Sequence, residues 1–190
     1  MWPAYLMAAG VVVAVIATAA SGLRGARRRK AQYSEATRLW RETPESRRYE
    51  VFSALPRAGE LNAPAWFLRG CACLRRHEAR EAARAFGMAH HADWRLESAA
   101  LLTFACLKST DGPGSDFPSQ LAVTWQQMKR PPLLRRAEDR LMVACLAETT
   151  PGVPDLPDLG RLAWLVVGPE LRPAVAGRFG GPAASRGGDR

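Results

Sequence analysis

The sequence predicts an all-α protein in which a single N-terminal transmembrane helix leads into a small domain of paired helices. Three observations carry that expectation. An uncharged stretch runs from Pro3 to Leu23 and is followed at once by a basic cluster. Through the middle of the chain, apolar residues recur at spacings of three and four rather than alternating. Between those periodic segments stand short clusters of Asn, Asp, Pro and Gly, residues that start and stop helices.

The stretch from Pro3 to Leu23 contains 21 residues and no charge. As a helix it reaches roughly 30 Å, about the thickness of a bilayer hydrocarbon core. Trp2 and Tyr5 stand where an interfacial aromatic belt belongs, and Arg24, Arg27, Arg28, Arg29 and Lys30 follow without an acid among them. A cleaved signal peptide is the competing reading, since Ala17-Thr18-Ala19 resembles a cleavage site, but its positive charge would precede the apolar stretch rather than follow it. The expected organisation is therefore an anchor over 1–23, a basic juxtamembrane segment over 24–30 and a helical domain over 31–167. A Gly/Pro-rich, flexible tail is expected over 168–190. By the positive-inside rule the chain is placed in the cell membrane as a single-pass protein, N-terminus outside and helical domain cytoplasmic. Gly10, Ala14, Thr18 and Gly22 recur every four residues and give the anchor a face of small groups on which a neighbouring helix could pack closely.

With 190 residues and 47% hydrophobic content, the chain can form one domain of ordinary size with a real core. Its net charge of +9 is unevenly placed: residues 31–160 hold 17 basic and 16 acidic side chains. A nucleic-acid binder displays its basic excess on the folded domain, because counterion release from phosphates drives such binding. The body lacks that excess, and no nucleic-acid partner is expected. Arginine dominates over lysine, of which there are only Lys30, Lys108 and Lys129. Together with abundant Ala, Gly and Pro this is the composition of a GC-rich, bacterial source.

Helix by helix, 31–42 and 45–55 form a degenerate first pair divided at Thr43-Pro44, with Tyr33, Ala36, Leu39 and Trp40 on one face. Asn62 can cap the next helix, with Pro64 tolerated in its first turn. It runs through Trp66, Leu68, Ala72 and Cys73 to a break near His77. Ala79, Ala82, Ala83, Phe86 and Ala89 mark its partner. Asp93 is the expected cap of a helix containing Leu96, Ala99, Phe104 and Leu107. A loop over 109–116 then leads to Phe117, Leu121, Trp125 and Met128. After Pro131-Pro132, a helix with Leu134, Ala137, Leu141 and Cys145 pairs with a short one carrying Leu159, Leu162, Ala163 and Val166.

From Ala63 to Leu96 the residues resemble a tetratricopeptide repeat. Trp66 matches its first aromatic position, Gly70 the small residue where paired helices cross, Ala82 the alanine of the second helix, Phe86 its large apolar residue and Ala89 its last small one. Arg69, Cys73 and Trp94 depart from the pattern, which usually has leucine, an aromatic and proline there. The resemblance implies a short helix-turn-helix solenoid of about three to four pairs, since one repeat cannot bury its own face.

It also implies a protein partner held in a groove along the first helix of each pair. Carried onto this chain, the groove comprises Phe67, Cys71, Leu74, Arg75, Leu101, Ala105 and Lys108, a mixture suited to an apolar segment with an acidic end. The expected function is a membrane-tethered interaction module, with a structural accessory subunit of a larger membrane complex as the alternative. The partners are then proteins, and membrane lipid through the anchor and basic run. No cofactor is expected. Cys71, Cys73, Cys106 and Cys145 lack zinc-ligand spacing and read as reduced, buried thiols. His90, His91 and Asp93 read as a solvated helix end. Ser98, Ser119 and His77 have no catalytic motif around them, and no enzymatic activity is expected.

Overall fold

The computed structural model describes residues 22, 25–55, 62–110, 116–127, 137–147 and 152–180. Among them are helices and no strand. In chain order these are α1 (25–42), a 3₁₀ turn at Glu45–Arg47, α2 (Arg48–Ser53), α3 (Ala63–Arg75), α4 (Ala79–Ala92), α5 (Glu97–Ser109) and α6 (Phe117–Gln127). They are followed by α7 (Ala137–Ala147), α8 (Asp158–Val166), a 3₁₀ turn at Pro169–Leu171 and α9 (Arg172–Phe179). From α2 to α6 each helix packs on the next, α3 with α4 most extensively. The chain then returns, α8 packing on α9, α7 and α3, and α9 reaching α6.

Helix α1 buries Tyr33, Ala36, Thr37 and Trp40, one stripe at helical spacing. The Trp40 ring meets Phe52 of α2 at 5.2 Å between centroids. The Tyr33 hydroxyl donates to Asp93 at 3.3 Å, and burial, with Asp93 beside it, pushes that phenol's pKa up. It therefore stays a donor.

The α3–α4 hairpin is determined locally. The Asn62 side chain accepts from the Ala65 amide at 3.3 Å, and Pro64 stands in the first turn, where its missing N–H costs nothing. At the far end His77 adopts φ of 60°. Its amide donates to the Leu74 carbonyl, while the Glu78 amide reaches the Cys73 carbonyl, the paired bonds of a Schellman stop. Between the helices, a Cβ built on Gly70 would lie 2.6 Å from the Phe86 ring. That is too close for any side chain. Phe86 in turn meets Phe67 edge-on at 5.3 Å, and Ala82, Ala83, Ala85 and Ala89 keep α4 close to its neighbours. The guanidinium of Arg69, where the resemblance expected leucine, lies 5.3 Å over the Trp66 ring, a cation–π contact in place of an apolar one.

Three expectations are corrected. First, among the described residues no helix is long and apolar enough to cross a membrane, which removes the membrane-spanning element from the fold class. With it goes the single-pass placement in the cell membrane, and the orientation that depended on it. Of the stretch that carried them, only Gly22 is described; Gly10, Ala14 and Thr18 lie outside the described residues, and nothing stands within 4 Å of a Cβ placed on Gly22. Gly22 is helical, and the described part of α1, 25–42, carries the basic run from Arg27 to Lys30. Arg27, Arg28 and Lys30 are exposed on it and Arg29 is half-buried, while Arg24 lies outside the described residues.

Second, Asp93 does not cap α5. It accepts from Tyr33 and from the Arg95 amide and so shapes the turn, and the helix begins at Glu97. The α5 amide at Ser98 is instead satisfied across the fold by Asp139 of α7, which accepts from both the amide, at 3.2 Å, and the hydroxyl of Ser98.

Third, the tail expected to be flexible from 168 onward is helical over Arg172–Phe179, with Val175 and Phe179 buried. Pro173 lies in its first turn and Gly180 ends it at φ of 73°. The residues read as flexible punctuate a helix. Residues 181–190 lie outside the described residues.

Candidate interaction surfaces

The groove drawn from the sequence is filled. Phe67, Cys71, Leu74, Leu101 and Ala105 are all buried in the shared core. The first helix of a pair exposes such positions only where nothing lies across it, and here α8 packs against α3. Leu159, Leu162, Leu165 and Val166 of α8 are themselves buried. The contact is fixed by Arg75, whose Nη2 donates to the Leu165 carbonyl at 3.1 Å. Helix α8 thus packs against α3 at Arg75, while Phe67 is turned onto Phe86 of α4.

Arg75 and Lys108 of the predicted groove keep polar contacts. The Arg75 side chain is 11% exposed, and its Nη1 reaches the carboxylate of Glu45 at 3.1 Å. Burial pulls its pKa down, while Glu45 acts in the opposite direction. Lys108 Nζ donates to Gln127 Oε1 at 3.3 Å, joining α5 to α6.

Exposed apolar surface is found elsewhere. Helix α5 packs Leu101, Leu102, Ala105 and Cys106 inward. Its other side presents Phe104, 57% exposed, and Leu107, 46% exposed. Three residues apart, the two lie one turn from each other on one helix face, and Lys108, four residues from Phe104, borders them. Val123 is exposed on α6, the neighbour on which α5 packs, and Trp94 in the turn that precedes α5. The sequence contained the signal for this face: Phe104 and Leu107 fall off the stripe defined by Leu101, Leu102, Ala105 and Cys106. Counting both sets together as one apolar helix concealed it.

Cys71, Cys73 and Cys106 are buried and form no disulfide. Burial pushes Cys106 up to about 12 and raises Cys73, so neither is a ready thiolate. The Cys145 side chain lies outside the described residues. Among the described residues, no three His, Cys, Asp or Glu side chains gather as a metal site would require. His90 Nδ1 lies 3.3 Å from the Leu96 carbonyl, holding the end of α4 to the start of α5, while His91 is exposed. Comparison with protein-family models, with curated proteins and with solved structures finds no match.

Proposed function

We propose that this chain is a protein–protein interaction module of tetratricopeptide-like helical pairs, whose role is binding rather than catalysis. Its partner lies across the outer face of α5, not in the groove between paired helices. The exposure of Phe104 beside Leu107 carries this reading. Burying a side chain of either kind contributes about 1.5 to 3 kcal/mol, and large aromatic residues dominate the energetics of interfaces. Lys108 on the same border suits a partner segment that is apolar with an acidic group at one end.

The test is site-specific photo-crosslinking in the cell of origin. A crosslinker at 104 or 107 should give a discrete adduct with one protein, and a crosslinker at the exposed position 84 should not. Phe104→Ser combined with Leu107→Ser should then abolish recovery of that protein while leaving the helical circular-dichroism signal unchanged. Full recovery by the double variant would overturn the proposal.

A second reading, a structural subunit built permanently into a larger assembly, draws on Trp94. At 61% exposure it adds an apolar point at the opposite end of α5, more surface than a transient contact requires. Recovery of the partner in fixed stoichiometry, lost on Trp94→Ser as well as on the α5 substitutions, favours that reading.

A further inference from the structure

Three arginines converge on a cleft that neither the core nor the α5 face uses. Its walls come from the turn before α2 (Glu45, Ser46), from α2 (Arg48, Tyr49) and from α3 (Arg75, Arg76), and it encloses about 170 Å³. The backbone at Gly168 closes one side. The positions of two cations are set by a single ring: the Arg48 guanidinium lies 4.6 Å from the Trp40 centroid and that of Arg75 lies 5.2 Å from it. Arg48 is buried, with its Nε donating to the Thr43 carbonyl at 3.2 Å. Arg76 is held 4.9 Å over the Tyr49 ring.

The charges in the cleft do not balance. Against three guanidinium groups its wall supplies one carboxylate, that of Glu45, 60% exposed and bound to Arg75 Nη1. On the rim, Glu170 is engaged by His77 at 3.0 Å, and at Arg75 its negative charge acts against the positive charge of Arg172. The Nε of Arg75 is buried without a hydrogen-bond partner. Like charges gathered in a partly desolvated space repel strongly, and a bound anion offsets that repulsion.

We propose that this cleft binds a phosphate group, with Arg75 and Arg48 as its floor, Arg76 at its mouth and Glu45 as an internal ligand that the phosphate displaces. With Glu45 displaced, three guanidinium charges face the ligand, and the nearly double charge of a phosphate offsets more of them than a single carboxylate does. Arginine's planar fork matches phosphate oxygens. The volume admits a phosphate group but not a nucleoside attached to it. Free phosphate and a phosphorylated side chain of a partner share this chemistry.

The experiment is a titration of the full chain at constant ionic strength. The probes are inorganic phosphate, a phosphoserine-containing peptide and the same peptide without phosphate, followed by calorimetry and by thermal midpoint. Saturable binding of a phosphate-bearing probe is expected. Tighter binding of the phosphopeptide identifies a phosphorylated partner as the source, and tighter binding of inorganic phosphate identifies the free ion. Glu45→Gln should strengthen binding about threefold, and Arg76→Ala should weaken it about threefold, each being an exposed charge. Arg75→Gln should abolish it. If Arg75→Gln fails to fold, the two exposed variants decide. Sodium chloride producing the same midpoint shift at matched ionic strength, or unchanged affinity in both Glu45→Gln and Arg76→Ala, would overturn the proposal.

Discussion

Two helix crossings in this chain are built from the same pair of residue types, and they differ in what surrounds them. Where α3 meets α4, a Cβ on Gly70 would lie 2.6 Å from the ring of Phe86. Where α8 meets α9, a Cβ on Gly160 would lie 2.7 Å from the Cβ of Phe179. In each case glycine permits an approach that any other residue forbids. Phe86, however, is fully buried and braced edge-on by Phe67, whereas Phe179 ends an eight-residue helix that terminates at Gly180. A clash at the first crossing must be absorbed by the core, while a clash at the second can move a short helix as a body. The same local contact therefore carries different energetic weight according to the freedom of its neighbours.

The largest expected effect follows directly. Gly70→Leu should lower stability by about 3 kcal/mol, read from urea midpoints at constant slope. A loss below about 1 kcal/mol would mean that Phe86 can leave its place, and the contrast between the crossings would collapse.

The next effect tests how the returning helices are tied to the array they cover. Asp139 is fully buried against Ser98, and burial pushes its pKa up from 3.8 to about 6. The folded state thus binds this proton more readily than the unfolded chain. The resulting stabilisation is complete below about pH 4 and is lost as pH rises through about 6. Over that window it amounts to about 2 to 3 kcal/mol. Asp139→Asn should remove this component, so the difference in urea midpoint between variant and parent should change between pH 4.5 and pH 7.5. A difference independent of pH would show that the contact titrates outside the window.

Gly160→Ala should cost only about 1 kcal/mol, because α9 can shift and alanine favours the helix. An effect as large as that of a substitution at Gly70 would show that the C-terminal helices are as rigidly held as the α3–α4 pair. The smallest effect belongs to the surface. Phe104→Ser with Leu107→Ser should change stability by no more than about 0.5 kcal/mol, separating the face proposed for binding from both crossings.

The first crossing was legible in the sequence and the second was not, for physical reasons. Gly70 and Phe86 lie in helices announced by Asn62, Pro64 and an alanine-rich face, so their periodicity could be traced on both sides of the turn. Gly160 lies in the short helix read from Leu159, Leu162, Ala163 and Val166, but its partner Phe179 lies in a region rich in Gly and Pro, whose composition is shared by flexible chain and by closely spaced helix caps. Only the three-dimensional contact distinguishes the two. The groove failed for a related reason. Phe67, Cys71 and Leu74 are apolar whether a partner or the chain's own core covers them, and periodicity reports burial without naming what does the burying. Asp93 illustrates a third limit: its residue type suits a cap, but Tyr33, sixty positions away, is bound to it. The anchor expectation rested on length, charge and the flanking aromatics Trp2 and Tyr5, and no helix among the described residues sustains it.

The buried thiols make the chemistry of this protein a record of its motions. With Cys71 and Cys73 in α3 and Cys106 in α5 all sequestered, an alkylating reagent reaches these three sulfurs only when the surrounding helices part. The rate of modification is then governed by the frequency and depth of local opening rather than by reagent strength, provided that closing outruns reaction. Two helices separated by α4 carry independent chemical clocks. A divergence between the clocks would show one end of the array breathing while the other stays shut, and identical rates would show that it opens as a unit.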